Sequence, residues 1–158
     1  VKFINKSHYV FMLKILFFLI FIITPCLSNS SNYELELFMQ IIDKKSITYP
    51  DKNKHLILNG SANWQDSDGD YGVMQCLATI TTYNSDDTAR LDANCEARNH
   101  KNEKFWLNLS RTSDMNAGVG IATYMYGEGK YKLYVGKKCA YAVKYFEDRM
   151  FYKQQCKK

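Results

Sequence analysis

Apolar and polar residues alternate with a period of two through most of the chain beyond residue 32. Between His55 and Trp64, Leu56, Leu58, Gly60, Ala62 and Trp64 fall on one side and polar residues hold most of the other. Lys104–Thr112 repeats the pattern with Phe105, Leu107 and Leu109. Tyr71–Tyr83, Thr88–Arg98 and the two halves of Cys139–Cys156 also read as strands. Tyr33–Ile42 fits two periods. Tyr33, Leu35, Leu37 and Met39 alternate, whereas Leu35, Phe38, Met39 and Ile42 share a helix face; the strand is preferred. Asp43–Lys54, which contains Pro50, reads as a polar loop, and Gln65–Asp70 as a turn.

Gly118 to Gly136 holds five of the eight glycines. The β-rich runs 119–126 and 130–135 flank Gly127-Glu128-Gly129, the composition of a hairpin whose turn needs positive φ. Gly118 and Gly120, two apart on one face, let a strand bend sharply or another backbone approach it. About eight short strands with polar links predict an all-β domain, a small antiparallel barrel or a sandwich. Its inner wall is expected to include Leu56, Leu58, Trp64, Phe105, Leu107, Leu109, Ile121 and Met125.

The cysteines test the strand registers. A hairpin centred between Ser85 and Asp86 sets Cys76 opposite Cys95, Met74 opposite Ala97 and Ile80 opposite Leu91, and sorts apolar from polar faces. A second, centred between Glu147 and Asp148, sets Cys139 opposite Cys156 and Val143 opposite Tyr152. Directly opposed residues lie within disulfide reach, so Cys76–Cys95 and Cys139–Cys156 are the expected bridges. A helix over 139–156 would separate its ends by roughly 25 Å and forbid the second bridge.

An oxidising destination agrees with the N-terminus. Lys2, Lys6 and Lys14 precede the apolar run Ile15–Ile23, and small residues follow Pro25. That order is a signal peptide over residues 1–28, with cleavage near Ser28–Ser30 and export to the periplasm or beyond. The competing readings are an uncleaved anchor and a lipoprotein through Cys26. Cleavage leaves one domain, 29–158, and lowers Lys+Arg from 21 to 18 against 16 acids. A net charge near neutrality argues against nucleic acid. Nine of the remaining cations fall in residues 130–158, which makes the C-terminal end basic.

Few residues suggest chemistry. Asp66-Ser67-Asp68-Gly69-Asp70 has the look of a calcium loop, but Tyr71 and Leu77 stand where an EF-hand needs Gly and Glu, so a solvated acidic turn is expected. His55 and His100 lack metal-ligand spacing, and no metal or cofactor is expected. Arg111 continues the inward Phe105–Leu109 face and would aim a bidentate donor into the barrel. It either anchors an acidic ligand, with Trp64, Phe105 and Tyr124 as further contacts, or snorkels outward or pairs internally at a strand end.

Gly127-Glu128-Gly129-Lys130-Tyr131, with Gly136 following, resembles the Gly-x-Gly-x-Tyr turn of the allene oxide cyclase and dirigent-like barrels. The resemblance implies an eight-stranded antiparallel barrel with a cavity for apolar or aromatic molecules. It carries over no catalytic position. The first functional expectation is therefore a non-enzymatic binding module for a small apolar or acidic ligand. A cyclase or isomerase-like enzyme is the second. The third is an envelope component that meets an anionic surface through Lys144, Phe151 and Lys153.

Overall fold

A computed structural model of the protein describes residues 32–84 and 88–157. The signal segment, its cleavage region and the turn centre between Ser85 and Asp86 lie outside the described residues.

Eight strands, β1 (Asn32–Thr48), β2 (Lys54–Asp66), β3 (Tyr71–Tyr83), β4 (Thr88–Asn99), β5 (Lys104–Ser113), β6 (Ala117–Gly127), β7 (Lys138–Phe146) and β8 (Arg149–Lys157), form a closed barrel. Each pairs antiparallel with the next, and β1 returns to β8 through pairs such as Leu37↔Tyr152. The period-two pattern places Tyr33, Leu35, Leu37 and Met39 of β1 inside, as it does Leu56, Leu58, Ala62 and Trp64 of β2. An eight-stranded barrel has an interior that side chains can just fill. Here tyrosines, Trp64 and Phe105 fill it against small partners such as Ala62, Ala93, Ala97 and Ala122.

Both cysteine registers are present as expected: Cys76 faces Cys95 and Cys139 is bridged to Cys156, with Cα atoms 4.1 and 4.6 Å apart. The pairs Met74↔Ala97, Ile80↔Leu91 and Val143↔Tyr152 also hold.

Three local expectations are corrected. Residues 130–135 are not a strand: Gly129–Tyr134 forms a 3₁₀ turn, and β6 pairs with β7 instead. The turn starts at Gly129 with φ of 51°, and its spacing of three brings Tyr131 and Tyr134 to the inner side together. Residues 43–48 are not a loop. They extend β1 beyond a bulge at Ile41/Asp43 and pair with Lys54–Asn59, although every one of them is exposed. Lys44 and Lys45 there leave a charged strand edge, which discourages pairing with another chain.

Finally, Ile121 and Met125 face out, at 41% and 45% exposure. The inner residues of β6 are Gly118, Gly120, Ala122 and Tyr124. A register shift opposite Trp106/Leu107 adds an extra residue to β6 near Met125.

Candidate functional site

Phe105 and Arg111 stand six residues apart on β5, about 20 Å along the strand. The residues expected around one ligand are therefore divided between two ends of the barrel. At the first end Trp64, Phe105 and Tyr124 do converge, with ring centroids 5.2 Å apart for Trp64–Phe105 and 5.6 Å for Phe105–Tyr124. The space beside them belongs to the protein's own 3₁₀ turn. Tyr131 packs 4.5 Å from Phe105, and Tyr134 lies 4.5 Å from Tyr33 and 5.4 Å from Tyr124. These rings are buried and leave the aromatic end filled.

A polar plug seals that end. Lys130 Nζ lies 2.9 Å from both Asp66 and Asp70 and 3.6 Å from Asp68. Tyr33 donates to Asp66 at 3.1 Å, and Tyr131 to Asp70 at 3.3 Å. Asp66 also accepts the backbone N–H groups of Asp68 and Asp70. The acidic turn is thus solvated only at its tip: Ser67, Asp68 and Gly69 are exposed, whereas the Asp66 and Asp70 side chains retain 0% and 6% exposure. An ammonium stands among its carboxylates. Burial alone would raise the Asp70 carboxyl, but hydrogen bonds from Lys130 and Lys101 outweigh it and hold the group well below the usual carboxylate range. Deeper in the lumen, Gln154 accepts from Tyr152 at 2.6 Å and donates to Tyr124 at 3.2 Å. The polar groups at this end satisfy one another, which is the arrangement of a structural network.

The Arg111 end differs. Arg111 as a whole is 5% exposed and its side chain points inward, as its strand position predicts. Nη1 donates to Ser113 Oγ at 2.8 Å and to the Asp114 carbonyl at 2.9 Å; Nη2 reaches the Met115 carbonyl at 3.3 Å. All three acceptors are neutral, and among the described residues no carboxylate is paired with Arg111. Nε has no partner there, and the Tyr141 hydroxyl is likewise unpartnered. Both residues line a cavity of about 40 Å³ whose other walls include Met39, Leu58, Ala93, Leu109 and Val143. Burial pushes the Tyr141 hydroxyl above its ordinary range against the opposing pull of Arg111, so it remains a neutral donor.

Gly118 and Gly120 of β6 make this arrangement possible. A Cβ on Gly118 would lie 2.7 Å from Arg111 Nη1, and one on Gly120 would lie 2.6 Å from Tyr141 Cζ and collide with the Ser110 carbonyl. Gly120→Ala is expected to cost about 1–3 kcal/mol, the range for overpacking a tight site. Thermal unfolding that left the variant as stable as the parent would remove that steric role.

The surface candidates stand outside the barrel. Phe151 faces Lys144 on β7 and Phe38 on β1, with the two phenyl rings 5.0 Å apart and edge-on. Arg149 sits 5.5 Å over Phe38. Lys153 is drawn into ion pairs with Glu34 at 2.9 Å and Glu36 at 3.2 Å, so its charge is locally offset. Sequence reasoning missed Phe38, Tyr141 and Lys130. Cross-strand pairing with β1 would have found Phe38; the other two become visible only once the barrel closes.

No family model and no curated protein sequence matches the chain. Among solved structures the barrel is similar to a protein with unknown function from Clostridium acetobutylicum ATCC 824, at 11% identity and a TM-score of 0.65. The match covers 78% of this chain and 97% of that one. At that identity the likeness speaks for the fold alone.

Proposed function

We propose that this barrel is an exported, non-enzymatic binding module that takes a small acidic ligand at the Arg111 end of its lumen. The observation that carries the reading is a buried guanidinium that, among the described residues, is bonded to neutral acceptors alone and lies beside a cavity. An unpaired buried charge is costly, and an acidic ligand would supply the missing counter-charge. Binding needs one anchoring charge and an apolar socket, whereas turnover also needs placed proton-transfer groups. The residues lining this cavity include no carboxylate and no histidine. Its volume also narrows the ligand. A cavity that holds benzene measures roughly 150 Å³, so about 40 Å³ admits an acid group and little more. The aromatic end, where Trp64, Phe105 and Tyr124 were expected as further contacts of the same ligand, is occupied by Tyr131 and Tyr134.

Export belongs to the same proposal. Two disulfides fit an oxidising compartment, and intact mass of the native protein should begin near Ser28–Ser30. The ligand test is a thermal-shift and native-mass screen with small carboxylic acids on the parent and Arg111→Ala. Stabilisation of the parent alone is expected. An equal response in both proteins would take Arg111 out of the site, and conversion of a bound acid would make the barrel an enzyme. A second reading rests on the outer patch of Phe38, Phe151, Lys144 and Arg149, whose cations beside the exposed Phe151 and half-buried Phe38 rings suit an anionic surface. Binding to anionic but not neutral vesicles, lost in Lys144→Glu, would support it.

A further inference from the structure

We infer that Arg111 and Tyr141 together form a two-donor monoanion site whose ligand class is a short aliphatic carboxylate. The inference rests on the acid-binding reading above and extends it to a second residue and a size limit. Three observations favour it.

First, both donors are held in place before any ligand arrives. The Nη atoms of Arg111 are bonded to Ser113, Asp114 and Met115, and the Tyr145 ring lies 5.5 Å from its guanidinium carbon. Tyr141 is stacked on Tyr152, with centroids 4.9 Å apart and planes 25° apart, while the Tyr152 hydroxyl is engaged by Gln154. This leaves Arg111 Nε–H and Tyr141 O–H as the unpartnered donors of the described residues in one cavity, each on a side chain at least nine-tenths buried. Two donors on one cavity can meet the two oxygens of a carboxylate.

Second, one positive charge is available, so a monoanion is neutralised while a dianion would bury an excess charge. Third, most of the remaining wall is aliphatic or thioether, with Met39, Leu58, Leu109, Val143 and Met150 beside the rings of Tyr145 and Tyr152. They suit a short hydrocarbon tail, and the volume of about 40 Å³ leaves no room for a long one. Gly118 and Gly120 supply the clearance for the two donor side chains, so the socket depends on four inward positions of β5, β6 and β7.

The test titrates ¹³C-carboxylate formate, acetate, propionate, hexanoate and octanoate, with chloride, nitrate and sulfate as further arms, at constant ionic strength and pH 7. NMR is recorded on the disulfide-intact parent, Tyr141→Phe, Arg111→Gln and Ala93→Leu. The expected result is saturable binding of the two- and three-carbon acids, weakened at least tenfold in Tyr141→Phe and lost in Arg111→Gln. Ala93→Leu fills the cavity and leaves both donors, and it should lose binding too, which guards against misfolding of the arginine variant. Should Arg111→Gln abolish binding while Tyr141→Phe leaves it unchanged, the donor pair is wrong and the Arg111 reading survives. Octanoate or sulfate binding as tightly as propionate would overturn the size or the charge limit. Chloride or nitrate displacing the acids at equal concentration would make the site one for inorganic anions and overturn the carboxylate class. No binding by any arm would overturn both this inference and the reading beneath it.

Discussion

Replacing both cystines, Cys76–Cys95 and Cys139–Cys156, by alanine pairs is expected to lower the unfolding free energy by about 6 kcal/mol, about 3 for each. The bridges span 19 and 17 residues of sequence and join strands that are already neighbours. They therefore act mainly on the unfolded chain, whose loop-closure entropy they remove. Set against a total stability of about 5–15 kcal/mol for a domain of this kind, the double loss would bring the barrel to the edge of folding. The two sites should differ in a second respect. Cys76 lines the Arg111 cavity, whereas Cys156 sits beside Gln154 in the polar network of the aromatic end. Loss of the first pair should alter acid binding, and loss of the second should leave it intact. Urea unfolding of each pair variant measures the cost; losses under about 1 kcal/mol apiece would show that the bridges add little.

The cystine registers were legible because each cysteine pair, each face and each turn centre had to agree at once. A period of two allows few solutions. Arg111 was legible for the same reason, as the next inward residue after Phe105, Leu107 and Leu109. Strand β6 was misread because apolarity points to the wrong face there. Its inner positions 118 and 120 are glycines that clear Arg111 and Tyr141, while Val119, Ile121 and Met125 lie outside. The 3₁₀ turn was misread because Lys130–Val135 alternates like a strand; what decides its course is the fit of Tyr131 and Tyr134 against Phe105, Tyr33 and Tyr124. The extension of β1 carries no apolar alternation, and only its hydrogen bonding to β2 makes it a strand. The acidic turn could not be understood locally. Its partner, Lys130, lies 64 residues beyond Asp66.

That partnership makes Lys130→Ala the most damaging single substitution expected at the capped end. Removing one member of a buried ion pair leaves an uncompensated charge and costs about 3–5 kcal/mol. Here Asp66 would lose its cation, while Asp70 would keep the ammonium of Lys101, 3.0 Å away on a side chain 59% exposed. Lys130 keeps 28% of its side chain in water, which places the expected loss near the lower end, about 3 kcal/mol. The pH dependence has a definite sign. Asp70 is held below its ordinary range, so its contribution is complete above the unfolded value of about 4 and fades as pH falls toward the folded one. Burial pulls the Lys130 ammonium down, but Asp66 and Asp70 outweigh it and raise the group. Its contribution is complete below about pH 10 and is lost as pH rises through the folded value. The parent should accordingly gain stability from this cluster as pH rises from 2 to 5, and Lys130→Ala should gain less. Adding Asp66→Asn and Asp70→Asn to Lys130→Ala should recover part of the loss, because the charge stranded on Asp66 is gone. Urea unfolding at pH 2.5, 5 and 7 measures all three proteins. A triple variant no more stable than the single one would locate the cost in lost packing of the 3₁₀ turn against the barrel instead of in the buried charges.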